Sequence, residues 1–379
     1  MKNIMFISNG DKSKRQDANH IKMESFYAPC VNALSETECN IYAGINADIE
    51  GVKTQDGIHY YNQNVYRSIF ALRDNWKAYK NINAIIKKYN IDVIHCNSPI
   101  GGFLGRVCGR KNKVKIIIYT VHGFHFFKGN NTIMNFIFRS IERHLARYTD
   151  HIITMNQEDF ESAKRFKLKA GGKVHFIHGI GINTGEYQKC IVDKEKKRNE
   201  LGLNIDDVVL ITTGDLIKRK NHSMVLDAIA KCDNKKIKFL LCGNGPELNN
   251  LKKRAKSLSI EKQVLFLGFR DDVKELLKAS DIFVFTSLQE GLPRSLMEAM
   301  ASGLPCIVFD ARGSRDLIMN GEGGYLCDSM NDFVNAINRI IFEEKPVGDY
   351  GKNNIQSVKE YDIKCVSKEM GKIYNEIGL

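Results

Sequence analysis

Ile91-Asp92-Val93-Ile94-His95-Cys96-Asn97-Ser98-Pro99-Ile100-Gly101-Gly102 is the stretch whose reading decides the fold. Residues 91–96 are rich in β-branched side chains and stop at Asn97-Ser98-Pro99, which marks a buried strand. A glycine-rich helix is expected over 100–109. A strand that feeds straight into a helix is half of a strand–helix–strand unit, and the pattern extends in both directions. Residues 4–8, 115–120 and 151–155 read as strands. Residues 19–34 read as a helix interrupted near Pro29, and 157–166 as another helix. In the second half, 208–212, 237–241, 264–267, 281–286 and 305–309 read as strands, with helices over 223–230 and 246–258. This alternation argues for parallel sheets covered on both faces, with ligands at the carboxyl ends of the strands.

The 379 residues exceed one ordinary core and suit two domains. A 43% hydrophobic content and a mean hydropathy of −0.30 describe a chain with ample core material. No apolar run approaches the roughly 18–20 residues that span a bilayer. Met1-Lys2-Asn3 runs directly into a strand, so no signal peptide is expected. The join is expected within 179–200, where Gly179-Ile180-Gly181 gives way to the charged run 193–200. The domains are therefore drawn as 1–185 and 186–358. Residues 359–379, helical over 361–377, are expected to cross back to the first domain by fold analogy. Two doubly wound, Rossmann-like α/β domains facing each other across a cleft would bind substrate there.

Ten cysteines without a Cys-x-x-Cys pair read as buried apolar residues of a reducing compartment. No spacing suggests a metal site, and none is expected. The net charge of +12 is unevenly shared. Residues 1–184 carry 26 Lys and Arg against 15 Asp and Glu, a net of +11, whereas 185–379 carry 30 against 29, a net of +1. The excess gathers at Lys12, Lys14 and Arg15, at 106–115, at Arg139, Arg143 and Arg147, and at 164–169. A basic face suits nucleic acid, anionic lipid or a phosphate-bearing acceptor. No nucleic-acid-binding signature accompanies it, so nucleic acid is not an expected partner. The four-residue recurrence of Arg139, Arg143 and Arg147 beside Phe136, Phe138 and Leu145 suits either a membrane-surface helix or a solvated face.

Glu290-Gly291-Leu292-Pro293-Arg294-Ser295-Leu296-Met297-Glu298 places two carboxylates eight residues apart across a helix start. Pro293 suits a first helical turn, while Gly303 and Pro305 mark the stop. Backbone N–H groups over 292–296 would face an anion, helped by the helix dipole. That arrangement seats a phosphate between two hydroxyl-seeking carboxylates, as a sugar nucleotide requires. The competing reading is an amphipathic helix with a solvated Glu at each end.

Several motifs in order carry a family resemblance: Gly214 with Lys220-Asn221-His222; Cys242-Gly243-Asn244-Gly245-Pro246-Glu247; Phe266-Leu267-Gly268-Phe269-Arg270-Asp271-Asp272; and the run from Glu290 to Gly303. Together they resemble the nucleotide-binding domain of glycosyltransferase family 4. The residues 95–102 and Tyr119-Thr120-Val121-His122-Gly123-Phe124-His125-Phe126 resemble the branch that builds bacterial capsular polysaccharides and exopolysaccharides. The similarity spans nearly the whole chain. It implies a GT-B fold, retention of anomeric configuration and a nucleotide-sugar donor, here expected to be a UDP-sugar, without bound metal or other cofactor.

The implied roles attach to particular residues. Glu298 accepts from ribose hydroxyls, Glu290 lies by the transferred sugar, and Lys220 neutralises the diphosphate with the 291–296 helix start, which comprises Gly291, Leu292, Pro293, Arg294, Ser295 and Leu296. The chain has no Asp-x-Asp. Many relatives have Arg where Asp215 stands. Either Arg219 or Lys218 then supplies the second cation, or Asp215 orients Lys220. Gly10, Gly243 and Gly245 would allow close approach to the nucleotide, and Phe269 and Arg270 would meet the base. His122 would line the acceptor side, positioning and polarising without forming a covalent bond, within an aromatic wall of Phe124, His125, Phe126 and Phe127.

The expected reaction moves a hexose or N-acetylhexosamine to a lipid-diphosphate-linked saccharide at the inner, anionic face of the cell membrane, where the chain would be peripheral. Two alternatives are a GT-B sugar-nucleotide enzyme such as a UDP-N-acetylglucosamine 2-epimerase, and a non-enzymatic basic binding module.

Overall fold

In the computed structural model, residues 1–10, 16, 21, 23, 25–35, 37–66, 68, 70–97, 99–342 and 347–379 are described. Lys12, Lys14, Arg15 and Ser98, and residues 19, 20, 22 and 24 of the helix expected over 19–34, lie outside the described residues. Chain packing divides the molecule into one unit of Met1–Gly181 with Lys364–Leu379, and a second of Ile182–Ile363.

Runs of branched apolar residues build the first sheet from β1 (Lys2–Ile7), β2 (Cys39–Ile45), β3 (Val52–Gln55), β4 (Ile58–Asn62), β5 (Val93–Asn97), β6 (Ile116–Thr120), β7 (His151–Thr154) and β8 (Lys173–Phe176). Their spatial order is β3-β4-β2-β1-β5-β6-β7-β8. All neighbours are parallel except the β3–β4 hairpin, which turns at Asp56-Gly57 with φ of 51° and 74°. Two positive φ values are what a tight, right-twisted hairpin turn demands, and Asp-Gly supplies them at low cost. Every residue of β5 is buried, as expected for a central strand with both faces covered.

The helices of this unit are α1 (Ala28–Leu34), α2 (Leu72–Lys88), α3 (Ile100–Lys111), α4 (Thr132–Ala146) and α5 (Gln157–Ala163). Pro29 sits in the first turn of α1, so it starts that helix rather than interrupting a longer one. A Cβ on Gly102, Gly105 or Gly109 would lie 2.3–2.6 Å from Tyr119, Cys96 or Ile117. The glycines of α3 thus let the helix lie directly on β5 and β6.

The second unit runs through α6 (Thr184–Gln188), α7 (Lys194–Glu200), β9 (Val208–Thr213), α8 (His222–Cys232), β10 (Ile237–Cys242), α9 (Leu248–Ser257), β11 (Val264–Gly268), α10 (Val273–Ala279) and β12 (Ile282–Phe285). It continues with α11 (Arg294–Ala301), β13 (Cys306–Phe309), α12 (Ser314–Leu317), β14 (Gly324–Cys327), α13 (Met330–Phe342) and α14 (Val347–Ser357). The six parallel strands lie in the order β11-β10-β9-β12-β13-β14, the doubly wound arrangement in which strand order reverses between β9 and β12. Separate apolar layers cover the two faces, one including Leu296, Met297 and Met300, the other Val225, Ile229 and Phe333.

The final helix, α15 (Ile363–Glu376), packs into the first unit from residue 364 onward. Val366, Met370, Ile373 and Tyr374 form its buried stripe. Tyr374 Oη lies 2.8 Å from His95 Nδ1, and Glu369 lies 2.6 Å from His178 Nδ1. The division falls after Gly181 instead of 185, and the return starts at 364 instead of 359. The cause is local: Ile182 N–H donates to Tyr361 O and Ile363 N–H to Ile182 O, while Val358 and Tyr361 belong to the second unit's core.

Candidate functional site

The second sheet reverses its strand order where β9 ends at Thr213 and β12 at Phe285, and the loops after these two strands are bonded together. After β9, Lys218–Lys220 forms one 3₁₀ turn, closed by Asn221 in the left-handed region. Thr286 Oγ1 donates to the carbonyls of Lys220 and Asn221 at 3.1 and 3.0 Å, and Leu288 N–H donates to Arg219 O at 2.9 Å. These bonds hold the cationic turn against the loop that carries Glu290.

Glu290 is the hub. Its Oε1 accepts from Arg219 Nη1 at 2.7 Å, Lys220 Nζ at 2.8 Å and Ser287 Oγ at 2.6 Å. The side chain is only 12% exposed. Burial alone would push the carboxyl up, but Lys220 and Arg219 outweigh it and hold the group below its ordinary value. Lys220 Nζ also lies 4.8 Å from the Phe285 ring centroid. The backbone beside Glu290 is fixed from behind: Arg312 Nε donates to Glu290 O at 2.9 Å, and Gly313 packs where a Cβ would meet Gly291 O at 2.3 Å.

Helix α11 starts immediately beyond this hub. Pro293 is its N-cap, with extended backbone, and no side chain caps the first turn. Leu296, expected at the phosphate seat, is fully buried, backbone included, and packs in the core of the second unit. Glu298, on the second turn, accepts from Arg294 Nε at 2.9 Å and is hydrogen-bonded by the Tyr187 hydroxyl of α6. Burial, and then the Glu298 charge, push the Tyr187 hydroxyl upward, keeping it a donor.

Of the two alternatives left open at Asp215, its orienting Lys220 is the one the structure does not show. Asp215 is exposed, and its backbone carbonyl accepts from His222 Nε2 at 3.3 Å. The carboxylate partner of Lys220 is Glu290, which also engages Arg219. Gly243 and Gly245 have an internal reason to be glycine: a Cβ on Gly243, at φ 152°, would lie 1.8 Å from Gly214 O, and one on Gly245 would lie 2.4 Å from Leu216 O. Phe269 is 77% exposed. Arg270 forms a two-pronged pair with Asp272 at 2.7 and 2.6 Å, and Asp272 also binds Lys197 at 2.7 Å. Arg270 is thereby held in an ion cluster of its own.

In the first unit Gly10 follows β1, its N–H bonded to Val65 O, and a Cβ there would meet the Asn46 amide. His122 follows β6, edge-on to Phe26 with centroids 5.3 Å apart, in a narrow crevice that Asn97, Thr120 and Met370 also line. Beneath it His95 is fully buried between Tyr374 and Thr120 Oγ1, the latter 2.7 Å from Nε2. Burial, and then His122, lower the His95 pKa to about 3, so the imidazole is neutral. The expected aromatic wall is corrected in part. Phe124 and Phe126 are buried, stacked at 4.6 Å and packed edge-on to Phe166, because that loop folds its aromatics into the core. His125 stays exposed, 5.4 Å from the Phe138 ring.

Ser287, Arg312 and Tyr187 join the site without having been singled out in the sequence. Arg312-Gly313 follows a strand in the same way as the motif residues do, which is the signal that was there to find. Among the described residues no group of His, Cys, Asp or Glu could hold a metal ion.

Residues 193–357 match the family described as "Glycosyl transferases group 1", and residues 41–184 match "Glycosyltransferase Family 4". The chain is 30% identical over 308 residues to a putative glycosyltransferase, EpsD, of Bacillus subtilis, covering 79% of this chain and 81% of that protein. It is also 30% identical over 294 residues to the UDP-Gal:alpha-D-GlcNAc-diphosphoundecaprenol alpha-1,3-galactosyltransferase of Escherichia coli, covering 76% and 75% of the two chains. The crystal structure of Anabaena Alr3699/HepE in complex with UDP matches with a TM-score of 0.75 at 18% identity, over 99% of this chain and 100% of that one.

Proposed function

The chain belongs to glycosyltransferase family 4, and from that premise we propose that it transfers a hexose or N-acetylhexosamine from a UDP-sugar to a lipid-diphosphate-linked saccharide, retaining the anomeric configuration and using no bound metal. It is a glycosyltransferase of GT-B fold, so the epimerase and binding-module alternatives lose their support. A UDP-sugar donor and a lipid-diphosphate-linked acceptor are the substrate classes named for the Escherichia coli relative, and the surface-polysaccharide setting rests on the family resemblance of residues 95–102 and 119–126.

The observation that carries the reading is Glu290 held by Lys220 and Arg219 beside the uncapped start of α11. As the bond from sugar to β-phosphate breaks, negative charge grows on the phosphate oxygen. Two cations and the helix N-terminus provide its stabilisation without a metal. When the diphosphate takes over Lys220 and Arg219, Glu290 is released to accept from a hydroxyl of the transferred sugar. Glu298 would take the ribose hydroxyls, exchanging the partners it now has in Arg294 and Tyr187. His122 would position the acceptor hydroxyl, whose proton passes to the departing phosphate in a front-face substitution. The basic first half would draw the chain to an anionic membrane surface. No helix among the described residues is long and apolar enough to cross one.

Thermal-shift and calorimetric titration with UDP, GDP, ADP and their sugar conjugates, with and without EDTA, tests the donor. UDP-selective stabilisation that EDTA leaves intact is expected. No stabilisation by any nucleotide would sink the site assignment. Product stereochemistry read by NMR tests retention.

A further inference from the structure

The outer helices of the first unit are covered less than amphipathic helices ordinarily are. Of the fifteen residues of α4, only Leu145 and Ala146 are buried. Ile133, Met134, Phe136, Ile137 and Ile141 stand 42–73% exposed on that helix. Phe103 on α3 is 45% exposed, and Leu72 and Trp76 on α2 are 75% and 59% exposed. Scattered exposed apolar residues are normal, but so many on three neighbouring helices are not.

Between these helices lies a cavity of about 310 Å³, walled by Pro99, Ile100, Phe103, Leu104, Phe138 and Ile141. That is near the lower limit of small-ligand sites. Its polar floor is an ion pair: Arg106, fully buried, donates from Nη1 to Glu142 at 2.8 Å and lies 3.8 Å over the Tyr119 ring, while Tyr119 Oη donates to Glu142 at 3.2 Å; only Nη2 of the guanidinium is left without a hydrogen-bond partner. The pair ties α3 to α4. His125 also lines it, three residues beyond His122 in the loop after β6, and Pro99 and Ile100 follow β5. The cavity therefore opens at the carboxyl edge of the same sheet that presents His122.

We propose that this cavity takes the hydrocarbon chain of the lipid-linked acceptor, with the apolar side chains around it entering the bilayer. The proposal rests on the lipid-linked acceptor assigned above. Charge complementarity selects a lipid over a protein occupant: Arg73, Lys77 and Lys80 on α2, Arg110 and Lys111 on α3, and Arg139 and Arg143 on α4 are all exposed. An apolar centre with a basic surround matches an anionic membrane carrying an isoprenoid diphosphate. The position beside the His122 loop selects the acceptor's chain over that of a bulk phospholipid, because a lipid held there has its head at the sheet edge where transfer occurs.

The test uses the full chain and vesicles of phosphatidylcholine with phosphatidylglycerol, with or without undecaprenyl phosphate. Tighter binding to the undecaprenyl phosphate vesicles is expected. Ile141→Trp, which fills the cavity, should remove that preference, a loss of about tenfold, while UDP affinity and binding to plain anionic vesicles stay unchanged. Phe103→Ala, at a partly exposed wall position, should weaken the preference without challenging the fold. Equal binding of the wild type to both vesicle types would overturn the proposal in favour of bulk lipid. A dimer in light scattering that Ile141→Glu dissociates would overturn it in favour of a second copy. Transfer to a lipid-linked acceptor without isoprenoid preference defeats the cavity alone, whereas preference without any transfer defeats the acceptor reading and leaves the cavity standing.

Discussion

The loops at the strand reversal of the second sheet are polar and already knitted together, while α2 and α4 of the first unit leave large apolar side chains in water, although both units follow the same parallel plan. In the second unit Glu290 stands in for an anion, occupying Lys220 and Arg219 at bonding distance. In the first unit the cavity beside α4 has apolar walls, and the charges at its floor, Arg106 and Glu142, pair with each other. The contrast teaches how one topology separates two recognition problems. On the proposed reading, a diphosphate would be read by fixed charges that cost nothing to arrange at the moment of reaction, and a greasy acceptor by area that water leaves.

Removing residues 364–379 should break the comparison most severely, since the first unit would lose its cover over His95 and the second would keep its whole core. Fluorescence of Trp76, the single tryptophan and a residue of the first unit, should then show that unit unfolded, while the second still binds UDP. Loss of UDP binding together with the fluorescence change would show that the two units are not energetically separable. Next in size, Lys220→Ala should lower kcat by about 10²-fold or more with the fold intact, the cost of one lost transition-state contact. An unchanged rate would remove the cation from the mechanism.

Gly243→Ala should cost about 3 kcal/mol in urea unfolding, because its Cβ has no room beside Gly214 O. Gly171→Ala in the first unit, at φ 80° with open space around it, should cost only about 1–2 kcal/mol. Equal penalties would mean that the close approach of the loops after β9 and β10 relaxes readily.

Acid should discriminate more mildly. His95 titrates near its ordinary 6.5 when unfolded but only at about 3 when folded, so its contribution is complete above pH 6.5 and is lost as pH falls toward 3. His175, lowered to about 4 by burial and then by His151, adds to the same loss in the same unit. The second unit has one such residue, His222, also lowered to about 4, chiefly by burial. The urea midpoint read by Trp76 should therefore fall from pH 7 to pH 5, and a flat midpoint would contradict the buried neutral histidine. The smallest effect belongs to the surface: Arg139→Glu and Arg143→Glu should each weaken binding to anionic vesicles by about 1–2 kcal/mol, measured by co-sedimentation.

What the sequence made legible follows from where each signal resides. The central strands β1, β5, β6, β9, β10 and β12 are continuous apolar runs, and all were readable from residue type alone. Strands β2 to β4 were not assigned; for β3 the reason is physical, since Lys53-Thr54-Gln55 at an exposed sheet edge carries no apolar pattern, although Asp56-Gly57 beside it is a strong hairpin signal. Helix α4 was expected from its arginine spacing, but its uncovered apolar face appears only when its neighbours are placed. Glu290, Lys220 and Glu298 were readable from motif order. The bond from Glu290 to Lys220 was not, because it joins loops after two strands that are adjacent in the sheet and 70 residues apart in the chain. Tyr187 was invisible for the same reason, acting from α6, outside the motif it supports, whereas Arg312 carried only the weak signal of its place after a strand.

The place of α15 has a consequence for how the molecule is made. Tyr374 leaves the ribosome 279 residues after His95, the group it must meet. Domains ordinarily complete themselves in order of synthesis. Here the whole of Ile182–Ile363 is translated before the first unit receives its last helix. The nascent first unit must wait with His95 and its surroundings uncovered, so a chaperone that shields apolar surface would act on the earlier half of the chain later than on the other.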